Sequence, residues 1–419
     1  MKRFDVAMVV CWVGALAGEG ARANGLDNAS SFSAAQVRHQ SQNAAVGTLD
    51  AVIYDPAGVT AFAPGFYVGL NNQTLLTRFS HSYQGFEYQA ETPVPVLPAA
   101  ELLYRVQDLG VFVGFTIPSG GGGLQFKNGT ATTAAIAAQA SAQGQDGRLS
   151  VDVQSIAFGL TLGAAYRVHE RISLSLAVRP LYAARMASWH TSKGSLAQTA
   201  GTENLLDQLE TSQGMGAILG AHFQIGEKLR LGLRYETVTR LRFQVERSDL
   251  PAPLLALLSD ETLLSLRKVF RPQGSRYDRD LPAVGALGLA CQLTPRWSVS
   301  SSYTHYFQRS ADWDGLEDDH RDGWELSAGT ELALTPSLLL SLGGGYHDIG
   351  SKARAYLPEI PGQSGGTIGM GGRYGLTPTM LLDLGVSLGL GESADRPDGV
   401  HFSGYRIYTL ALGLDFKVF

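Results

Sequence analysis

Bond-making chemistry has little to work with in this 419-residue chain. A lipid hydrolase needs a serine, a histidine and an orienting polar group facing one another. The nine histidines are scattered, and none sits beside a paired serine motif. Asp318-Asp319-His320-Arg321-Asp322 could hold a divalent cation, but a charged, water-facing loop accounts for the run better. Neither a nucleotide-binding loop nor a basic nucleic-acid patch stands out, and no metal or cofactor is called for. What remains is recognition. Between Leu250 and Phe270 the chain strings together Leu254, Leu257, Leu258, Leu264 and Phe270 among further leucines, and exposed apolar surface of that density marks a binding face. Leu205, Leu206 and Leu209 are a shorter candidate for the facing wall. Packing of one loop on another is the bland alternative for both. Arg179, Arg234 and Arg309, on strand-like stretches, offer cations either to a guest or to internal carboxylates such as Glu236.

The elements that must position these groups read as strands. From Met380 to Leu390 the even positions are all apolar, while Asp383, Gly385, Ser387 and Gly389 lie among the odd ones. Successive side chains of a strand point to opposite faces, so one face is greasy and the other mixed. Ile172, Leu174, Leu176 and Val178 alternate with Ser173, Ser175 and Ala177 in the same way, as do Trp297, Val299 and Tyr303 with Ser298, Ser300 and Ser302. Fourteen such stretches follow one another from Gly65 to Phe419. Expected strand starts include Ala99 for the second, Leu109 for the third and Met215 for the sixth. Every second connection is tight, and the Leu-Thr-Pro turns at Thr294, Thr335 and Thr377 recur at spacings of 41 and 42 residues. Alternating short turns and long loops are the two rims of an outer-membrane β-barrel. A propeller also repeats near forty residues but would not keep its long connections on one side.

Composition agrees. The chain carries 50 glycines, 17% charged residues and a net charge of −5. Residues 1–23 read as a secretory signal, with Lys2 and Arg3, an apolar core from Ala7 to Leu16, and Ala21-Arg22-Ala23 as the cleavage site. Cys291 is then left without a partner, which excludes a disulfide. No later apolar run reaches the roughly 18 residues of a spanning helix. The expected fold is all-β: a transmembrane, fourteen-stranded antiparallel barrel over residues 65–419, in the outer membrane of a Gram-negative cell. Phe419 is a terminal aromatic of the kind that barrel assembly signals end with, but it falls outside the apolar register of Tyr408, Leu410, Leu412 and Leu414.

Residues 24–64 do not alternate; they are small and polar, and long enough to fold back into the lumen as a hatch. They end in Tyr54-Asp55-Pro56-Ala57-Gly58, just before the first strand. Here the chain resembles the long-chain fatty acid transporter family of the outer membrane (the FadL/TodX group), whose hatch carries Asn-Pro-Ala at that place. The likeness continues in Gly163-Ala164-Ala165-Tyr166-Arg167, Tyr182-Ala183-Ala184-Arg185, Ser327-Ala328-Gly329-Thr330 and Asp383-Leu384-Gly385-Val386-Ser387, and so covers most of the mature chain. Asp55 stands where the family has Asn, which adds a charge to the hatch.

The resemblance implies passive, ligand-gated uptake of long-chain fatty acids or other hydrophobic compounds. Substrate would be captured in an apolar groove among the loops, passed to a site inside the barrel, and released sideways at a kinked third strand when the hatch of Asp55, Pro56 and Ala57 shifts. It implies Arg185 as the contact for a carboxylate, and it directs attention to Gly114, Pro118 and Gly120 as the lateral exit. Proline lacks a ladder N–H and glycine bends freely, so the third strand should part from a neighbour there. Expected partners are a hydrophobic small molecule, outer-membrane lipid and lipopolysaccharide, and the barrel assembly machinery; no nucleic acid is expected, and the chain should be a monomer. A general porin for polar solutes and a lipid-modifying barrel enzyme are the competing readings.

Overall fold

The computed structural model describes residues 32–142, 149–191, 203–249, 271–360 and 362–419. Among these the wall is a closed antiparallel barrel of fourteen strands. The first six are β1 (Gly65–Tyr83), β2 (Phe86–Val106), β3 (Leu109–Phe126), β4 (Leu149–His169), β5 (Ile172–Thr191) and β6 (Asn204–Ile225). Two interrupted strands follow: β7 (Leu229–Glu236, resumed as Arg242–Asp249) and β8 (Arg276–Asp278, resumed as Ala283–Thr294). The circuit continues through β9 (Trp297–Phe307), β10 (Gly323–Thr335), β11 (Leu338–Asp348), β12 (Gly365–Thr377), β13 (Met380–Gly391) and β14 (His401–Lys417). β14 pairs back on β1 from Tyr67↔Lys417 to Ser82↔His401, which closes the circuit.

The two-residue period explains which way each face looks. Leu384, Val386 and Leu390 of β13 are exposed, while Asp383 is buried. Leu174, Leu176 and Val178 of β5 look outward, and Ser173, Ser175 and Ala177 inward. An unbroken girdle of exposed leucine and valine is tolerable only where lipid, not water, wets the wall. The three Leu-Thr-Pro turns share one bond: the hydroxyls of Thr294, Thr335 and Thr377 accept the N–H two residues on, each at 3.3 Å.

Several boundaries differ from the sequence expectation. β2 starts at Phe86 rather than Ala99, because Pro93, Pro95 and Pro98 lie within a strand paired to β1. β6 starts at Asn204 rather than Met215, so Leu205, Leu206 and Leu209 belong to a wall strand and not to a loop. The phase of Phe419 is explained too. β14 ends at Lys417, and the last two residues leave the alternation, both exposed. Phe419 stacks on Phe66 with ring centroids 6.0 Å apart and meets the Tyr104 ring edge at 6.4 Å.

The N-terminal hatch fills the lumen. α1 (Ala34–His39) is capped by the Ser33 hydroxyl, which accepts Gln36 N–H at 3.0 Å, and ends at Gln40 in the left-handed region. α2 (Ala51–Tyr54) and a 3₁₀ turn (Gly58–Ala61) follow. Every residue of α1 is buried. Arg38, fully buried, binds Glu331 of β10 at 2.5 Å and Asp383 of β13 at 2.8 Å. On other sides Ser41 meets Ser302 of β9 at 2.9 Å and Thr60 meets Ser173 of β5 at 2.6 Å. The wall makes room by omitting side chains. A Cβ on Gly329 or Gly343 would overlap the His39 carbonyl, one on Gly369 the Val37 carbonyl, and one on Gly288 the backbone of Asn43.

Two substitutions should therefore loosen the hatch by independent routes. Arg38→Leu leaves the half-buried Glu331 without its guanidinium and Asp383 with Arg373 alone, and should cost hatch docking about 3 kcal/mol; Gly343→Ala loosens it by overlap, without changing charge. In planar bilayers both should show ionic conductance well above the parent while the barrel keeps its heat-modifiable migration. Parental conductance in both would show that the hatch does not seal the lumen.

Candidate functional site

At the long-loop rim a cavity of about 190 Å³ opens between the upper ends of β4, β5 and β6 and the loops 308–322 and 349–364. Arg185 lines it, on the inward set of β5. Its Nη1 donates to the Tyr277 hydroxyl at 2.9 Å and lies 3.8 Å from Glu210, and its guanidinium stands over the Phe243 ring at 5.9 Å. The residue thus sits beside a cavity and already has internal partners. Arg271 stacks on Tyr277 at 4.1 Å and pairs with Asp314 at 2.9 Å; Arg279 covers the Trp313 ring at 3.9 Å. Cations laid on aromatic faces give this mouth both apolar surface and hydrogen-bonding groups. The loop residues Leu254, Leu257, Leu258, Leu264 and Phe270 lie outside the described residues.

Around the mouth the lumen is apolar. Phe79 of β1, Leu97 of β2, Ile117 of β3, Val153 of β4, Trp189 of β5 and Leu205 and Leu206 of β6 pack in one buried cluster. Leu205 and Leu206 therefore line the interior of the barrel, with Leu209 only partly buried beside them, which corrects their placement in an extracellular loop. Leucine-rich spacing alone does not separate a greasy loop from a strand buried by its own lumen.

The hatch turn forms the floor. Asp55 is buried, and its carboxylate binds Nδ1 of His222 on β6 at 2.6 Å and accepts Gly58 N–H at 3.2 Å. Burial pushes its pKa up, opposed first by the His222 bond. Pro56 and Ala57 come up to β6 at Gly220, where a Cβ would stand 3.2 Å from the proline ring. The charge that distinguishes Asp55 from asparagine is thus spent on a wall histidine.

The wall beside this floor is split. β2 and β3 pair only from Ala100↔Phe115 to Val106↔Leu109 among the described residues. Beyond Phe115, β3 is laddered to β4 alone, with register shifts around Pro118 and Gly120. Gly120 has φ +75°, and a Cβ there would overlap the Ser155 carbonyl, so only glycine makes the bend. Gly114 faces the hatch: a Cβ would press on Ile53 Cδ1 at 2.6 Å. In sequence these glycines and Pro118 are the expected parting point of the third strand; the facing edge on β2 is not anticipated there. Pro93, Pro95 and Pro98 of β2 have no N–H to donate, a signal that in sequence alone reads as a loop. Arg179 and Arg234 both turn to Glu236, at 2.5 and 3.2 Å, and Arg309 lies in the turn after β9.

Near the hatch base, Asp50 accepts a hydrogen bond from the Ser33 hydroxyl. Burial raises its pKa to about 7, with the Ser33 bond pulling it down. A carboxyl whose pKa is raised on docking favours the docked state when protonated. That contribution is complete below its ordinary value of 3.8 and is lost as pH rises through about 7. Protection factors in residues 32–64, with exchange referred to the intrinsic rate at each pH, should accordingly be higher at pH 5 than at pH 8, and Asp50→Asn should flatten the difference. An unchanged pH response in the variant would assign the effect elsewhere.

The family described as outer membrane protein transport protein (OMPP1/FadL/TodX) matches residues 119–398. No curated protein sequence matches the chain. Among solved structures, a Pseudomonas aeruginosa FadL homologue aligns with a TM-score of 0.67 at 14% identity, covering 94% of this chain and 100% of its own. The P. putida toluene transporter TodX gives 0.67 at 16%, covering 93% and 99%. The Ralstonia pickettii toluene transporter TbuX gives 0.65 at 14%, with the same coverages. At these identities the likeness is one of fold. The match over 119–398, joined to a fourteen-stranded barrel that holds a hatch, settles the assignment: the chain belongs to the OMPP1/FadL/TodX outer membrane protein transport family.

Proposed function

We propose that the protein admits hydrophobic compounds across the outer membrane by passive, ligand-gated diffusion, and that it is a channel rather than an enzyme. The observation that carries this is the stack of three features along one axis. An apolar cluster fills the upper lumen, a docked hatch closes the floor, and an unzipped β2–β3 seam lies between them. A guest moving down meets no continuous water column and finds the hatch in its way, with Ile53 pressed toward Gly114 at the seam. Lateral exit near Gly114, Pro118 and Gly120 follows once the hatch segment 24–64, with Asp55, Pro56 and Ala57 at its turn, shifts. Capture begins at the mouth, where the loop of Leu254, Leu257, Leu258, Leu264 and Phe270 supplies the outer groove.

The substrate class spans long-chain fatty acids and neutral hydrocarbons; TodX and TbuX, named as toluene transporters, support the second. Arg185 is the proposed contact for a carboxylate at the mouth, in exchange with Tyr277 and Glu210. The protein works as a monomer, with lipid and lipopolysaccharide around its wall. A general porin is disfavoured by the same floor, since sugars would need the lumen that α1 occupies.

Locking the hatch tests the reading. The Ser41→Cys/Ser302→Cys pair replaces hydroxyls 2.9 Å apart. Once oxidised, it should abolish uptake of labelled oleate and toluene by a transporter-null host, and reductant should restore it. Full uptake through the oxidised pair would mean the hatch is no gate. Arg185→Ala, in turn, should reduce binding of fatty acids by about tenfold, the value of one charge-assisted contact, and leave hydrocarbon binding nearly intact. Equal losses would make Arg185 a structural residue.

A further inference from the structure

The lipid-facing wall carries two arginines where its apolar girdle ends. Arg78 of β1 and Arg406 of β14 stand directly opposite each other in the ladder that closes the barrel, and both are exposed. Leu390 of β13 flanks Arg406 and Glu91 of β2 flanks Arg78, so one row across four strands reads Leu390, Arg406, Arg78, Glu91. The outward row beneath, nearer the short-turn rim, reads Leu388, Tyr408, Leu76 and Pro93. Leu390, Tyr408 and Leu76 are exposed, and Val386 and Leu410 continue the apolar face below them. On the other side of the arginines Ser80 faces Gln89. The pair therefore marks the level at which this panel turns from apolar to polar on the long-loop side, the depth of lipid headgroups.

Charge at that level is not balanced. Like charges directly opposite in an antiparallel ladder start from Cβ atoms only about 5 Å apart and destabilise the pair. Glu91 answers one of them: its Oε2 accepts Nη2 of Arg78 at 2.5 Å and Nε at 3.1 Å. Arg406 has no hydrogen bond or ion pair among the described residues. Glu392, two residues beyond Leu390, accepts the Tyr346 hydroxyl at 2.8 Å instead. One positive charge is thus left over where hydrocarbon borders the site and screening is poor. A phosphate suits it, since two of its oxygens match a guanidinium fork and its charge offsets the repulsion between the arginines.

We propose that the Arg78–Arg406 row seats a lipid A phosphate of lipopolysaccharide, with the acyl chains lying down Tyr408, Leu76 and Leu410. The long-loop rim of an outer-membrane barrel faces the leaflet built of that glycolipid, which makes it, and not a phospholipid, the occupant. Arg406 offers its whole fork. Arg78 adds Nη1, which Glu91 does not engage. The bound phosphate bridges β14 and β1 and so also secures the ladder on which closure of the wall depends. The inference rests on the outer-membrane location of the barrel and not on the route through it, so its failure leaves the uptake reading untouched.

The full chain, refolded into dodecyl maltoside without lipopolysaccharide, is titrated with radiolabelled lipid A carrying both phosphates. The same lipid A stripped of its phosphates, and phosphatidylglycerol, are titrated in parallel. The phosphorylated lipid A should bind about tenfold tighter than either of these, or better. Arg406→Leu should weaken it by about tenfold, the value of one charge-assisted contact, and Arg406→Lys should recover part of the loss. Arg78→Leu should weaken it as well, and it serves if Arg406→Leu fails to fold. Arg276→Leu, an exposed arginine of β8 held by Gln244, should bind like the parent. Parental affinity in folded Arg406→Leu or Arg78→Leu would overturn the seat, as would equal binding of the stripped lipid. Equal binding of phosphatidylglycerol would overturn the choice of occupant, and an equal loss in Arg276→Leu would reduce the effect to overall charge.

Discussion

A length of chain can stay inside a barrel only if its backbone finds partners and the wall leaves space for it. Both conditions are met here by subtraction as much as by contact. Gly288, Gly329, Gly343 and Gly369 remove side chains where the hatch backbone runs closest. Arg38 then fixes the segment by reaching Glu331 and Asp383 on strands that are otherwise poor in charge. An arginine this deep is stable because two carboxylates surround it, and the carboxylates are tolerable because of it and of Arg373, which binds Asp383 at 2.7 Å. The barrel and its filling are therefore one electrostatic unit.

The two halves of the lumen differ in a way that follows from this. Around the hatch the inward set is serine, threonine and paired charge, which answers the polar groups of an irregular segment. Above it the inward set turns aromatic and aliphatic, with Phe79, Leu97, Trp189 and Leu206 in contact. The upper half is lined by apolar groups, and the lower one is occupied by the hatch. Among the described residues the β2–β3 ladder stops at Ala100↔Phe115, with prolines on one strand and the Pro118–Gly120 bend on the other beyond it. A split there costs less than in any intact ladder, because no hydrogen bonds are given up.

Much of this was open to a reader of the sequence. Alternation from Leu174 to Val178 and from Leu382 to Leu390 needs no tertiary information, since a strand turns its side chains over every second residue. The same local rule located all fourteen strands, the short and long rims, and the non-alternating segment that became the hatch. It failed where local cues conflict. Pro93, Pro95 and Pro98 read as a loop because a central strand would reject them, yet they sit on an edge that faces a gap. Leu205 and Leu206 read as a loop surface because their greasiness points into the barrel and not toward lipid.

The chain by itself determined the wall, its sidedness in the membrane and the presence of a stopper, because period and length are properties of a segment alone. Only the tertiary structure decided which charges meet. Arg38 finds Asp383 across 345 residues, Asp55 finds His222, and Arg234 finds the Ile53 carbonyl, through strand registers that a single-residue slip would reverse. Inward-facing arginines are easy to count in a sequence. Whether each ends on a carboxylate or on a hatch carbonyl is set by how the strands stagger as the cylinder closes, and no local pattern encodes that stagger.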